Sequence, residues 1–219
     1  MKIFQIISWT IFVIGVLFKL FHISGSSALL ALSCLLLFIH SIIYLIQKLK
    51  TDLPISFLNL SLSLWAIYFL FRIQYWSVGI DIAGYKIMVL IPILSSIICL
   101  VLHTTKEVQV RFPQIVLFVC FAFSLVLSYT PSYKIYYIVN LNTILNEETR
   151  KTNYFAWDKY SWFLYISNQL EDAKVANDKA QQALDEYLMS NNDTEAVQYS
   201  EKIKQHKANI SSKNWVEFP

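Results

Sequence analysis

Five long apolar runs constrain the fold of this chain more than any other feature of its sequence. A helix needs roughly 17 to 25 residues to cross a hydrocarbon core of about 30 Å. The runs lie near 3–21, 27–47, 55–71, 87–103 and 113–129. Each is long enough, or nearly so, and a helix satisfies its own backbone hydrogen bonds in lipid. The sequence therefore predicts an all-α membrane protein with five transmembrane helices.

Charged residues separate this apolar part from the rest of the chain. Only 15% of the 219 residues are charged, against roughly 25% in an average soluble domain. Asp52, Asp81 and Glu107 are the only acids before residue 131, and the remainder is mixed in charge and largely polar. We therefore expect a five-span transmembrane domain over 1–130 and a small helical extramembrane domain over 131–219.

The connections between the runs predict two tandem hairpins followed by a single span. The first two runs are joined by a few residues around 24–27, and the third and fourth by the longer loop 72–86. Short-loop cations favour the cytoplasmic side. One predicted side carries Lys2, Lys48, Lys50, Lys106 and Arg111, against Lys19, Arg72, Lys86 and Lys134 on the other. This favours a multi-pass protein of the inner (plasma) membrane with a cytoplasmic N-terminus and a periplasmic or extracellular C-terminal domain.

A short phrase occurs twice, at corresponding ends of the first and third runs. Both copies place a cation after an aromatic residue, then further rings, a serine and a glycine. The first copy contains Lys19, His22 and Gly25, and the second contains Arg72, Tyr75, Trp76 and Gly79, with Asp81 shortly after. Aligning the two cations superposes about 10–47 on about 64–103 in the same direction. The phrase therefore indicates an internal repeat of parallel type.

Three roles are open for the two cations of the phrase. An ionisable group in a bilayer costs at least about 2.5–3.5 kcal/mol, so each needs a polar partner or an escape to the interface. Lys19 and Arg72 could anchor at the interface by snorkelling, with His22, Tyr75 and Trp76 as a collar. They could instead point into the bundle and hydrogen-bond the backbone of the glycine turn. In a third role they line an ion path with Asp81 and His22, although no run contains the carboxylate that a proton relay normally uses.

The first copy of the phrase, from Gly15 to Gly25, resembles the N-terminal hairpin of the GldL family. That family supplies the membrane subunit of the gliding-motility and type IX secretion motor of Bacteroidota. The resemblance covers about 10–47, and more loosely 64–103, and it implies a membrane hairpin in which Lys19 occupies the position of the motor lysine. The family pairs this lysine with a glutamate in the second span, and 27–47 contains none. The hairpin is also duplicated here and a fifth span is added, so the resemblance implies a scaffold more than a motor.

The C-terminal part predicts three helices. The first, about 154–166, is aromatic and presents Trp157, Trp162 and Tyr165 as candidate partner contacts. The second is predicted to begin at the capping residue Asn168 and to carry a buried stripe of small residues and leucine at helical spacing. That stripe consists of Ala173, Ala176, Ala180, Ala183 and Leu184. The first two helices would form an antiparallel hairpin with spacing close to one tetratricopeptide repeat, and a third helix is expected near 193–209.

No motif in the chain indicates catalysis, a cofactor or a metal. Cys34, Cys99 and Cys120 all lie inside apolar runs and are interpreted as small hydrophobic residues. No clustered basic stripe favours nucleic-acid binding. We expect a non-enzymatic membrane scaffold or accessory subunit whose partners are membrane lipid and other membrane-protein subunits or a second copy. The alternative is an ion or small-solute channel or transport component that uses Lys19, Arg72 and Asp81.

Overall fold

The chain divides into two compact units, Met1–Thr130 and Pro131–Pro219, called here the membrane unit and the C-terminal unit. The structure is a computed structural model that describes residues 2–21, 23–74, 82–105, 112–142 and 153–216. Every regular element within those ranges is helical. The predicted all-α class is therefore confirmed for the described part of the chain.

Within the described residues, the membrane unit contains five helices. They are α1 (Lys2–Leu20), α2 (Ser26–Lys48), α3 (Leu53–Gln74), α4 (Ile82–Thr105) and α5 (Phe112–Tyr129). Among the described residues, four helices are long and apolar enough to span a membrane. A fifth span counts only if Ile115–Tyr129 and the bent continuation Ser132–Asn142 are taken together. This arrangement is consistent with a multi-pass membrane protein.

Helix α3 lies at the centre of the membrane unit and packs against α2, α4 and α5. Polar side chains contribute hydrogen bonds to these contacts, as is common between helices in lipid. The Ser41 and Ser63 hydroxyls join α2 to α3 at 3.0 Å. The Trp65 indole N–H donates to the Ser96 hydroxyl of α4 at 3.0 Å. Two hydrophobic cores form around these contacts, and α3 contributes to both.

Two glycines shape the hairpin of α1 and α2. Gly25 precedes α2 with φ at +83°, in the left-handed region that side chains disfavour. Gly15 lies where the two helices approach, and a Cβ there would stand 2.9 Å from Leu30 Cγ. The tight hairpin expected from the sequence therefore depends on one glycine for its turn and on another for its packing.

The C-terminal unit consists of short and medium helices around a separate core. They are α6 (Ser132–Tyr137), continued by a π-helical turn (Ile138–Asn142), then α7 (Tyr154–Ile166), α8 (Leu170–Ser190) and α9 (Thr194–Ser212). Helix α8 packs against α7 and α9. The predicted small-residue stripe of α8 is buried throughout. Because alanines allow close approach, this stripe brings the flanking helices near the axis of α8.

The N-terminal ends of α8 and α9 differ in how they are capped. Asn168 was expected to cap α8, but it lies in the preceding turn at φ +61° and Gln169 is the N-cap residue, with no side-chain cap bond. Asparagine tolerates the left-handed region, which explains its position in the turn. In α9 the Asp193 carboxylate accepts from the backbone N–H groups of Glu195 and Ala196. This is the usual capping geometry.

Candidate functional site

Arg72, the cation of the second phrase, is fully buried in the membrane unit at 0% exposure. It lies in the last turn of α3, and its guanidinium reaches the C-terminal end of α5. Nε and Nη2 each donate to the Leu127 carbonyl at 3.0 Å, and Nη2 also donates to the Thr130 carbonyl. The contacts thus join α3 to the end of α5.

The end of α5 suits a guanidinium for two physical reasons. The last four carbonyls of a helix have no partner within that helix. They also carry the negative end of the helix dipole, which favours a cation. Arginine fills the site well because it is planar and offers several N–H donors in fixed directions. Of the roles left open by the sequence, the one in which this cation points into the bundle therefore describes Arg72, and its acceptors include the carbonyls of Leu127 and Thr130.

Lys19, the cation of the first phrase, has a different environment. It lies in the last turn of α1 and is partly buried, whereas Arg72 has no exposed surface. Gly25 of the same phrase forms the left-handed turn before α2. The other candidate residues of the two phrases lie outside the described residues; they are His22, Tyr75, Trp76, Gly79 and Asp81. Within the described part, the two copies of the phrase share a helix-end position but differ in the burial of the cation.

The aromatic residues predicted as partner contacts are largely occupied within the C-terminal unit. Trp162 is 8% exposed and packs edge-on against Phe163. The Tyr165 hydroxyl accepts from the Trp215 backbone N–H at 3.1 Å. Trp157 is partly buried beneath the Lys179 ammonium, which lies 4.7 Å from its ring centroid. The structure therefore places these three rings mostly in intramolecular contacts.

A buried carboxylate organises the C-terminal unit. Asp158 of α7 is 0% exposed, and three side chains from the other two helices converge on it. His206 Nδ1 lies 2.8 Å from Oδ2, the Tyr199 hydroxyl donates to Oδ2 at 2.9 Å, and the Asn177 amide donates to Oδ1 at 3.2 Å. A buried charge is tolerated only when its partners are in place. We call this group the Asp158 network.

The Asp158 network also fixes the segment after α9. His206 stacks on Trp215 with ring centroids 4.5 Å apart, and Trp215 is itself 4% exposed. Lys213 ends α9 in the left-handed conformation, and its N–H bonds to the carbonyls of Asn209 and Ile210. The chain therefore turns back so that Trp215 packs on His206 and Tyr165.

A cluster of four aromatic rings with partial access to solvent adjoins the Asp158 network and shares Tyr199 with it. This tyrosine patch consists of Tyr154, Phe155, Tyr187 and Tyr199. Tyr154 lies 5.6 Å from Tyr187 and 5.5 Å from Tyr199, and Phe155 lies 5.8 Å from Tyr199, between ring centroids. Phe155 is 45% exposed, and the three tyrosines are partly buried. The patch is drawn from α7, α8 and α9.

Two carboxylates hold two rings of the tyrosine patch, Tyr187 and Tyr199. The Tyr199 hydroxyl donates to Asp158, and the Tyr187 hydroxyl donates to Asp193 at 3.2 Å. Burial raises the pKa of Tyr199 above its ordinary value, and the charge and hydrogen bond of Asp158 raise it further. The hydrogen bond to Asp193 is the main cause of a raised pKa for Tyr187. Both hydroxyls therefore remain protonated donors that orient their rings.

Sequence reasoning did not find the tyrosine patch. Its members come from three helices, and one sequence alone does not show which rings remain at a surface. The sequence feature that could have indicated the patch is the adjacent aromatic pair Tyr154–Phe155 at the start of α7. Among the described residues, no group of three or more His, Cys, Asp or Glu side chains is placed to hold a metal ion.

Comparisons of the chain with protein-family models, curated proteins and solved structures found no match.

Proposed function

We propose that this protein is a non-enzymatic scaffold or accessory subunit of a membrane complex that binds a protein partner through the tyrosine patch. The membrane unit would anchor the chain in the plasma membrane, with the N-terminus in the cytoplasm and the C-terminal unit outside. The resemblance of the doubled phrase to GldL hairpins favours a place within a multi-subunit membrane assembly.

The observation that carries this proposal is the partly exposed cluster of four rings, two of which are held in place by carboxylates. Tyrosine and other aromatic residues are enriched at protein interfaces and among the residues that dominate binding energy. Rings that are already held in place lose little freedom when a partner binds. Tyr187 and Tyr199 are held by Asp193 and Asp158. The patch therefore has the composition of a contact surface, and two of its four rings are already oriented.

The surroundings of the patch suit a partner with mixed polar and apolar character. The Lys202 ammonium lies 5.7 Å from the Tyr199 ring centroid, and Asp193 lies beside Tyr187. An apolar centre with a charged rim is typical of a non-obligate protein interface. No observation on the described residues favours the conducting alternative, since Arg72 is engaged with the carbonyls of α5.

Affinity purification of the full chain from its native membrane tests this proposal. The measured quantity is the amount of partner protein that co-purifies with wild type and with two matched variants. Phe155→Arg places a charge in the patch, while Ile166→Arg makes the same change near the other end of α7, where Ile166 is 42% exposed. We expect Phe155→Arg to weaken partner recovery at least about 30-fold, as for an interface residue worth 2 kcal/mol or more. Ile166→Arg should recover the partner as wild type does. Equal recovery by both variants, or no stoichiometric partner with wild type, would contradict the proposal.

A further inference from the structure

Helix α6 and its π-helical turn have one buried face and one exposed face. The buried face packs on α7, where the Tyr136 and Phe163 rings lie 5.0 Å apart between centroids and Tyr136 is 5% exposed. Residues at positions i, i+3 and i+4 are neighbours on a helix surface. Three such neighbours form the exposed face: Lys134, Tyr137 and Ile138. The segment is therefore amphipathic, and only one of its faces is covered by the C-terminal unit.

The exposed face of α6 continues onto α7 through a second aromatic cluster. The Tyr137 ring lies 6.4 Å from Trp157 and 5.3 Å from Tyr160, and these two rings of α7 lie 6.1 Å apart, between centroids. The Lys179 ammonium of α8 lies 4.7 Å from the Trp157 ring centroid. We call this surface the α6–α7 face, and it consists of Lys134, Tyr137, Ile138, Trp157, Tyr160 and Lys179.

Charge is distributed unevenly between this face and the rest of the described C-terminal unit. Within 132–142 and 153–166, Asp158 is the only acid, and it is 0% exposed. The other described acids of the unit lie on α8, on α9 or at the Asp193 cap. Burial raises the pKa of Tyr160, and the neighbouring Tyr137 and Asp172 raise it further, so Asp172 is an acid at the edge of the face. Two exposed lysines thus outweigh one acid, and the face complements an anionic surface.

The chain connection indicates what covers the α6–α7 face. Two residues, Thr130 and Pro131, separate the end of α5 from the start of α6, so their backbone spans at most about 11 Å. Pro131 has φ −58° and ψ 146°, an extended conformation that ends the preceding helix. Helix α5 has 18 residues, or about 27 Å, close to the thickness of a hydrocarbon core. With α5 crossing the bilayer, α6 therefore begins within reach of the lipid headgroups.

We propose that the α6–α7 face binds the surface of the bilayer, with its rings at the level of the headgroups and with Lys134 and Lys179 against lipid phosphates. Tyrosine and tryptophan are enriched at this level because their rings are amphipathic. Lysine adds attraction to anionic lipids. The segment Ser132–Asn142 is too short to cross a membrane, since its 11 residues extend about 17 Å as a helix. The C-terminal unit would thus be held against the membrane by this face as well as by its covalent link.

Spin labelling of the full chain in vesicles of equal phosphatidylglycerol and phosphatidylcholine tests this proposal. In a background with Cys34, Cys99 and Cys120 changed to alanine, a nitroxide is attached to Ile138→Cys on the α6–α7 face or to Val197→Cys on α9. The two side chains are matched in exposure, at 49% and 53%. The collision rate of each label is measured with oxygen, which concentrates in lipid, and with a water-soluble nickel chelate. Circular dichroism checks the helical content of every variant.

The ratio of oxygen to nickel collisions should be at least about threefold higher at residue 138 than at residue 197, because an interfacial helix buries its apolar side in the headgroup region. Adding Lys134→Glu should lower the ratio at residue 138 at least about twofold. Lys204→Glu is the matched control on α9, where Lys204 pairs with Glu201, and it should leave the ratio unchanged.

Three results would overturn the proposal. Equal ratios at residues 138 and 197 would mean that water covers the face. Low collision rates with both reagents at residue 138 would mean that protein covers it. Equal effects of Lys134→Glu and Lys204→Glu would remove the role of Lys134 at the lipid surface. None of these results depends on partner capture at the tyrosine patch.

Discussion

Among the described residues, Arg72 in the membrane unit and Asp158 in the C-terminal unit are both completely buried, but their described partners differ. In the membrane unit, Arg72 donates to two backbone carbonyls at the end of α5. In the C-terminal unit, Asp158 accepts from side chains of α8 and α9. Backbone carbonyls at a helix end are present whatever side chains the helix carries, whereas the three described partners of Asp158 are specific side chains. We therefore expect substitutions around Asp158 to destabilise the protein more than substitutions around the carbonyls that Arg72 contacts.

Loss of the Asp158 carboxylate should have the largest effect. Asp158→Ala leaves His206, Tyr199 and Asn177 without their common acceptor, and breaking a buried pair in this way costs about 3–5 kcal/mol. Hydrogen exchange of the full chain in lipid should therefore accelerate more than 100-fold across α7, α8 and α9. Asp178→Ala is the matched control, because Asp178 pairs with Lys207 at the surface, and such pairs contribute about 1 kcal/mol or less. Similar exchange rates for the two variants would refute the structural role of the network.

Loss of the Arg72 cap should have an intermediate and local effect. Hydrogen bonds to a charged group contribute about 1.5–3 kcal/mol. Arg72→Leu should therefore speed hydrogen exchange about 10- to 100-fold at Thr130, whose N–H bonds to the carbonyls of Val126 and Leu127. Arg72→Lys should not restore protection, because an ammonium lacks the planar array of donors.

Lys19→Leu changes the other cation of the doubled phrase and is the control for Arg72→Leu. Because Lys19 is only partly buried, we expect exchange in the last turn of α1 to change less than about fivefold, or about 1 kcal/mol. If Lys19→Leu and Arg72→Leu accelerated hydrogen exchange equally, the contribution of each cation to local stability would depend on its position in the phrase and not on its burial.

The smallest effect is expected from Tyr199→Phe, and it should depend on pH. Near neutral pH the variant loses one hydrogen bond to Asp158, worth about 1 kcal/mol. The folded-state pKa of Tyr199 is raised, so its stabilisation is fully present below the unfolded pKa of about 10 and is lost as pH rises towards the folded value. The stability difference between wild type and variant should therefore shrink above about pH 10. Unfolding of both proteins between pH 8 and 11 measures it, and a difference that is constant over this range would contradict the expectation.

The helices could be predicted from the sequence, while the contacts of the two buried charges could not. Runs predicted near 3–21 and 27–47 correspond to Lys2–Leu20 and Ser26–Lys48, because apolar length and the connecting residues are local signals. The acceptors of Arg72 lie 55 and 58 residues away, and the partners of Asp158 lie 19, 41 and 48 residues away. Pairings over such distances depend on tertiary packing, which a single sequence does not show. For the same reason, the aromatic composition of α7 did not distinguish buried Trp162 from exposed Phe155.

We propose that this chain acts by holding another protein in a membrane complex. The mass of the native particle, released from its own membrane in a lipid-retaining polymer and measured by native mass spectrometry, tests it most directly. We predict a particle whose mass exceeds one 25.5 kDa chain by that of a stoichiometric protein partner, and which loses this partner when Phe155→Arg is introduced. A particle containing only this chain and lipid would contradict the account.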